Sequence, residues 1–150
     1  MKKFLYPAEF EQFKPIIEKL SNTFKYQDKH TTIEIFNGDA RKYIQTLDNI
    51  DIVYQDAFSS EVNPFLWTVE YFKDISKTLS NDAILTTYSI ATPIRLSIYE
   101  NNFSIYEYKP ESSNRITIAL NKKAKAEQYK YIDMELKQQR NTSARALYDD

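Results

Sequence analysis

The sequence predicts an α/β fold in which a mostly parallel sheet ends in an antiparallel hairpin and helices cover both faces of the sheet. Three observations support this class. Strand-like segments alternate along the chain with segments of helical periodicity. Residues 83–89 form a nearly continuous apolar and β-branched run, which is typical of a strand buried on both faces. Residues 103–109 and 115–121 alternate in polarity on either side of the turn residues 111–114, which predicts a hairpin.

The first element along the chain is a predicted helix over residues 7–20 with one buried face. Its apolar residues recur at spacings of three and four, as one face of a helix requires. They are Phe10, Phe13, Ile16, Ile17 and Leu20. Pro15 lies inside this pattern, so we expect it to kink or split the helix.

A strand and a helix come next. Residues 31–37 alternate apolar and polar side chains, which predicts a strand that ends at Gly38. Asp39 then supplies an N-cap for a helix over residues 40–47.

Two further helices follow two further strands. The apolar run 52–54 predicts a strand, and an Asn-Pro pair after it marks the start of a helix over residues 64–79. After the strand at 83–89, Pro93 lies in the first turn of another helix, whose Ile94 and Ile98 are expected to face inward.

Composition restricts the class of protein. The chain has 150 residues, enough for one domain with a real core, and 42% of them are hydrophobic. The 20 basic and 21 acidic residues give a net charge of −1, which argues against a protein whose main task is to coat nucleic acid. Because the sequence has no cysteine and His30 is its single histidine, a Cys/His zinc site and disulfides are excluded, and we assign no metal ligand.

The amino-terminal residues are too polar, and too soon interrupted by Pro7, to predict a signal peptide. No apolar run approaches membrane-spanning length, so we expect a cytoplasmic protein without a membrane partner. Gly38 is the single glycine, where average usage of roughly 7% predicts about ten. A glycine-rich phosphate or dinucleotide loop is therefore excluded from this sequence.

The composition changes after residue 121. We therefore expect the α/β domain to cover residues 1–121, and residues 122–150 to form a charged tail that is helical or disordered and mostly exposed. The alternative is a helix that docks on a partner through the sparse apolar residues of this segment, Tyr129, Ile132 and Leu136.

Polar residues follow three of the predicted strands, at the point where each strand ends. In a parallel sheet these ends lie on one rim, so Asp39, Asp56, Tyr88 and Ser89 are predicted to line one cleft. Asp39 as a helix cap and Ser89 as a turn residue are the plainer interpretations. Asp56 is the strongest candidate, because an acid directly after an apolar strand must find a donor or face a ligand. Trp67, the single tryptophan, suits either core packing or a pocket wall.

Two acids on one rim suit a reaction that handles amines. A carboxylate can orient an amino group by hydrogen bonds while a loop shields the reaction from water. Such a rim would suit an amine methyltransferase, an aminopropyltransferase or a binding protein alike.

The stretch from residue 56 to residue 68 resembles a known family signature. Its residues Asp56-Ala57-Phe58, Asn63-Pro64 and Leu66-Trp67-Thr68 are similar to the DxF(S/A)PxxNPxLWT pattern of the MnmC-type methyltransferase domain, which modifies the wobble uridine of tRNA. Upstream, residues 36–40 resemble the family strand that ends in GDA. Downstream, residues 86–103 resemble a family segment in which Arg95 falls on an arginine, and Arg115 falls on the arginine that opens the last strand.

The resemblance implies a Rossmann-like class I methyltransferase fold that uses S-adenosylmethionine to methylate the aminomethyl nitrogen of the wobble uridine, with tRNA as partner. It assigns residues as follows. Asp39 and Ala40 lie near the cofactor adenine, Asp56 and Ala57 border the cofactor with Asp56 as the catalytic group, and Phe58, Asn63, Pro64, Trp67, Tyr88, Ser89 and Arg95 form the substrate side.

The sequence departs from that family at its amino-terminal end. The family begins with a strand that ends in a GxGxG loop and a second strand that ends in an acid, and neither is found here. We therefore expect a partial domain, truncated at the amino terminus, whose sheet is completed by a partner chain or by a second copy. An aminopropyltransferase of the spermidine synthase type and a non-enzymatic, oligomerising fragment are the alternatives.

Overall fold

The computed structural model describes residues 7–121 and 126–150. The chain divides into two compact units, Met1–Ala40 and Arg41–Asp150. Residues 122–125, where the predicted tail begins, lie outside the described residues.

The first unit is a short helical segment followed by a small hairpin. A 3₁₀-helix, Ala8–Phe13, leads into α1 (Lys14–Thr23), so Pro15 splits the helix as predicted and lies in the first turn of α1. The hairpin pairs β1 (Lys25–Gln27) with β2 (Thr32–Glu34) in antiparallel orientation. Neither helix has a buried residue, so the predicted buried face is wrong here.

The strand predicted over residues 31–37 is shorter than expected and has a different partner. It is β2, and it pairs with β1, a strand that the sequence did not predict, instead of joining the main sheet. The hairpin forms locally because Asp28 accepts hydrogen bonds from the backbone amides of His30 and Thr31, both at 2.8 Å. Such a short loop has a low entropic closure cost.

The second unit is built on a five-stranded sheet. Its elements in chain order are α2 (Ala40–Ile44, which begins at the last residue of the first unit), β3 (Ile50–Gln55), a 3₁₀-helix (Pro64–Leu66), α3 (Val69–Thr78), β4 (Leu79–Thr87), α4 (Thr92–Tyr99), β5 (Ser104–Tyr108), β6 (Ile116–Leu120), β7 (Lys130–Tyr131) and α5 (Met134–Arg140). The strand order is β3-β4-β6-β5-β7.

The α/β class and the carboxy-terminal hairpin are confirmed. β3 and β4 pair in parallel, and β6 lies antiparallel between β4 and β5. It follows that β3, β4 and β5 all run in one direction, so their carboxyl ends share one rim of the sheet. β7 adds a short antiparallel strand beside β5.

Within the second unit, the long helices share one face of the sheet. α3, α4 and the start of α5 contribute to a single core that contains Trp67, Phe72, Leu85, Leu96, Ile98, Ile105 and Met134. On the opposite face, Tyr106, Ile118 and Leu120 are covered by the segment around Ala126. Ile52 and Tyr54 also point to that face, and they remain 52% and 76% exposed.

Residues 126–150 are mostly exposed, but a few apolar residues of the segment are buried against the core. Ile132, Met134 and Ala146 are buried. The backbone of Leu147 accepts a hydrogen bond from the amide of Val69 at 2.7 Å and donates one to the Ser97 hydroxyl at 2.9 Å. The helical pattern was sparse because α5 spans only seven residues and the chain after it is irregular.

An ion pair closes the carboxy-terminal segment onto the unit. The Arg41 guanidinium donates two hydrogen bonds to the carboxylate of Asp149, at 2.8 and 2.6 Å. The Asp149 amide donates to Glu70 at 2.9 Å. These hydrogen bonds from Arg41, despite an opposing effect of burial, hold the pKa of Asp149 below its usual range.

Asp149→Asn is expected to lower stability in a pH-dependent way. Because the pKa of Asp149 is lower in the folded state, the contribution of the pair is present above the unfolded pKa and is lost as pH falls through the folded pKa. Urea titrations should show the variant less stable at pH 7 by about 1 kcal/mol. The difference should shrink below about pH 3.9.

Asp150→Asn is the matched control, since the described residues give the Asp150 side chain no ion pair. A destabilisation by Asp149→Asn that is the same at pH 7 and in acid would show that the ion pair is not its cause.

Candidate active site

The strongest candidate residue, Asp56, lies at the rim where β3 ends. It directly follows Gln55, the last residue of β3, and its side chain is exposed. Within residues 7–121 and 126–150, no side chain pairs with its carboxylate. Asp56 borders a small cavity of about 180 Å³, whose wall also includes Tyr54, Thr87, Tyr88 and Ile116. The prediction that Asp56 and Tyr88 share one cleft therefore agrees with the structure.

Three side chains from outside the loop determine the shape of the loop after Asp56. The Gln55 amide donates to the carbonyl of Leu66 at 2.8 Å, and the Trp67 indole donates to the carbonyl of Phe58 at 2.7 Å. The Tyr88 hydroxyl donates to the carbonyl of Ala57 at 2.9 Å. The backbone on both sides of the loop is thus fixed by residues of the sheet and of the helix start.

The buried side chain of Trp67 supports the loop after Asp56. Its side chain is fully buried, and its ring packs edge-on against Tyr88 with the ring centroids 5.9 Å apart. Thr68 follows as the N-cap of α3, and its hydroxyl accepts a hydrogen bond from the amide of Tyr71. Trp67 therefore shapes the loop through packing and one hydrogen bond, and it presents no surface to a ligand.

The loop itself is compact and carries exposed aromatic side chains. The amides of Val62 and Asn63 both donate to the carbonyl of Ser59, and the 3₁₀-helix Pro64–Leu66 follows. Phe58 is 71% exposed. Pro64 lines a second cavity of about 440 Å³ that lies between this loop and the carboxy-terminal segment.

The rim at the end of β4 is held by a buried polar network. Thr117 donates to the carbonyl of Ser89 at 2.6 Å and accepts from Nε of Arg95 at 2.9 Å. Arg95 also donates to Glu107 at 3.1 Å, and Arg115 reaches the same carboxylate at 3.4 Å. Although burial raises the pKa of Glu107, Arg95 and Arg115 hold it below its usual range.

Arg95 is not available to a substrate. Its side chain is 2% exposed and is hydrogen-bonded to Thr117 and Glu107. This corrects the prediction that Arg95 contacts the substrate. α4 places the Arg95 side chain inside the fold, where it contacts Glu107 near the end of β5 and Thr117 near the start of β6.

Asp39 and Ala40 belong to the first unit. Asp39 directly precedes α2, Ala40 is the first residue of that helix, and both are exposed. Their predicted role near a cofactor stays a prediction.

Gln55, Thr117 and Glu107 were missed by sequence reasoning. Each lies in a strand whose pattern predicts burial. A polar residue at a buried position needs a hydrogen-bond partner, and this requirement was the signal that could have identified them. Nothing in the sequence indicates that their partners are Leu66, Ser89 and Arg95.

Comparison with known proteins identifies the family of this chain. Residues 7–123 match the family described as S-adenosyl-L-methionine-dependent methyltransferase. The chain belongs to this family. The predicted resemblance to the MnmC-type methyltransferase domain is confirmed by the relatives that follow.

Two relatives and one solved structure are similar to the chain. An uncharacterized protein of Methanocaldococcus jannaschii is 34% identical over 97 residues, which are 63% of this chain and 27% of that protein. The tRNA 5-methylaminomethyl-2-thiouridine biosynthesis bifunctional protein MnmC of Campylobacter fetus is 26% identical over 118 residues, 71% of this chain and 19% of the relative. The crystal structure of MnmC2 from Aquifex aeolicus superposes with a TM-score of 0.79 and 22% identity.

The superposition on MnmC2 covers all of this chain and 49% of the MnmC2 chain. The chain thus spans about half of that structure and a smaller share of the relatives. Within the part of the chain that the structure describes, none of the helices is long and apolar enough to span a membrane.

The residues present do not supply the glycine-rich part of a site for the S-adenosylmethionine that the family implies. Close approach of backbone to a cofactor needs glycine, and Gly38 is the single glycine of the sequence. We therefore derive no step through the cofactor.

Tyr88→Phe is expected to loosen the loop after Asp56 with little effect on the rest of the fold. The substitution removes the hydroxyl that donates to the carbonyl of Ala57 and keeps the ring that packs on Trp67. We expect a stability loss of about 1 kcal/mol and faster amide exchange in residues 56–66, measured by hydrogen-exchange mass spectrometry.

Tyr108→Phe provides the control, because the Tyr108 hydroxyl has no hydrogen-bond partner in the part of the chain that the structure describes and the residue is similarly exposed. Equal exchange in the loop for wild type and Tyr88→Phe would contradict this account of how the loop is held.

Proposed function

We propose that this chain carries the amine-binding part of an S-adenosylmethionine-dependent N-methyltransferase that acts on the aminomethyl group of the tRNA wobble uridine. The observation that carries the proposal is that the Asp56 carboxylate is exposed beside a cavity at the rim of the sheet. Hydrogen bonds from Trp67 and Tyr88 fix the loop that follows it. The name of the Campylobacter fetus relative and the resemblance of the loop to the MnmC type support the substrate.

Asp56 would act by positioning the acceptor nitrogen. A carboxylate accepts hydrogen bonds from the N–H groups of a neutral amine, which orients the nitrogen lone pair away from the acid and towards the methyl donor. The same carboxylate can accept the proton that the nitrogen loses when it becomes substituted. The cofactor of the family supplies the electrophilic methyl group.

Exposed aromatic side chains near Asp56 suit an RNA substrate. Tyr54 is 76% exposed and lines the cavity with Tyr88, and Phe58 follows Asp56 by two residues. Proteins that recognise RNA loops stack unpaired bases on such side chains. Arg115, more than half exposed, provides a positive charge at the amino end of β6 for the phosphate backbone.

The proposal includes a partner polypeptide or a second copy of the chain that completes the site. β3 is one of the two edge strands of the described five-stranded sheet, so its outer edge can accept another strand. A partner polypeptide would also supply the backbone contacts to the cofactor that need glycine, whereas a second copy, with Gly38 as its single glycine, would complete only the sheet.

The test is transfer of a labelled methyl group from S-adenosylmethionine to tRNA that carries an unmethylated aminomethyl-uridine. Activity is measured for the chain alone and after addition of a purified amino-terminal segment of the MnmC-type domain. Asp56→Asn should lower the rate by about 100-fold or more, because the amide cannot accept a proton and orients the amine less well.

Asp51→Asn is the control, since Asp51 lies at the start of β3 and hydrogen-bonds the Ser80 hydroxyl at 2.6 Å. It should retain the wild-type rate. Methyl transfer that is unaffected by Asp56→Asn would refute the assigned role. Aminopropyl transfer to putrescine without methyl transfer would replace the proposal by the aminopropyltransferase alternative.

A further inference from the structure

A chain of hydrogen bonds connects the buried Arg95 to the rim of the candidate site. Arg95 donates through Nε to the Thr117 hydroxyl oxygen at 2.9 Å, and Thr117 donates to the backbone carbonyl of Ser89 at 2.6 Å. Arg95 and Thr117 are 2% and 0% exposed, so water does not compete for these groups.

The arginine sets the direction of this chain. A guanidinium has N–H donors and no acceptor, so the Thr117 oxygen must accept from Arg95. Its single hydroxyl hydrogen is then left for the carbonyl of Ser89. Glu107 holds the other end of the guanidinium at 3.1 Å, which fixes the orientation of Arg95.

The chain continues from Ser89 to the backbone beside Asp56. Tyr88 precedes Ser89, and its hydroxyl donates to the carbonyl of Ala57 at 2.9 Å. The Tyr88 ring packs edge-on against Trp67, whose indole donates to the carbonyl of Phe58. The two carbonyls that follow Asp56 are therefore tied to the turn that Thr117 holds.

We propose that Arg95 and Thr117 are positioning residues, which fix the Tyr88–Ser89 turn and through it the orientation of Asp56. They do so without touching the substrate. The consequence for catalysis rests on the proposed function, but the consequence for the position of the loop does not.

The test uses the indole N–H of Trp67, which gives a single resonance because the sequence has one tryptophan. Its exchange rate with solvent reports on the hydrogen bond to Phe58 and hence on the loop. Thr117→Val removes the hydroxyl with little change in side-chain size. Arg95→Met removes the donors and keeps much of the side-chain length.

Both variants are expected to raise the exchange rate of the Trp67 indole by roughly fivefold, the factor that a net hydrogen bond of ordinary strength represents. Thr117→Ser keeps the hydroxyl and should restore the wild-type rate. If Thr117→Val does not fold, Arg95→Met and Thr117→Ser give the same comparison.

Thr78→Val controls for loss of stability alone. Thr78 is also buried, and its hydroxyl also donates to a backbone carbonyl, that of Ile75 at 2.8 Å, but it lies at the far end of α3. This variant should leave the indole exchange rate at its wild-type value when compared under conditions of equal distance from the unfolding midpoint.

An indole rate that is unchanged in Thr117→Val, or raised equally in Thr78→Val, would overturn the proposal. In an active preparation, Thr117→Val should lower kcat with little change in KM for tRNA. Absence of methyl transfer by the wild-type protein would refute the proposed function, and the indole measurement would still decide the positioning role.

Discussion

A row of polar side chains across the carboxyl end of the sheet, three of them buried and one largely buried, is the constraint on which the candidate site depends. Gln55, Thr87, Thr117 and Glu107 are neighbours in register on β3, β4, β6 and β5. A buried polar group without a partner costs on the order of 1–3 kcal/mol. Here Gln55 and Thr117 donate hydrogen bonds to backbone carbonyls of the loops that follow β3 and β4. The sheet therefore stabilises the loops only when they adopt one arrangement.

Under the proposed function, that arrangement explains how a rim with few regular hydrogen bonds can position the Asp56 carboxylate. Loops usually have less fixed positions than the strands they follow. In this chain the first turn after β3 is held by Tyr88 and Trp67, and its far end is held by Gln55. A carboxylate at such a position needs little rearrangement when an amine binds, which is the condition for catalysis by positioning. The exposed aromatic side chains remain free for contacts with a substrate because the buried ones support the backbone.

The sequence predicted those parts of the fold and site whose signal is local. The continuous run at residues 83–89 and the alternating pair that forms β5 and β6 were correct because burial on both faces and hairpin turns leave a clear pattern. Asp56 and Tyr88 were placed together because strand direction alone brings strand ends to one rim.

The failures depend on packing between distant residues. Arg95 was assigned to the substrate side because it falls on an arginine of the family pattern, whereas in the structure it is buried and hydrogen-bonded to Glu107 and Thr117. The composition of residues 122–150 did not indicate that Ile132, Met134 and Ala146 are buried in the core, because apolar residues are sparse in that segment. The residues next to Arg95 or Ile132 in the sequence do not indicate which distant residues these side chains contact.

The most direct test of this account is native-state amide hydrogen exchange of the loop in the absence of any ligand. The amides of Val62, Asn63, Leu66 and Trp67 donate to carbonyls within the loop or the 3₁₀-helix. We expect all four to exchange at least about tenfold more slowly than in an unstructured chain, since a preformed loop keeps these hydrogen bonds closed. Exchange of these amides at the unstructured rate, with slow exchange in β4 and β6, would show that the sheet does not fix the loop and would contradict the central claim.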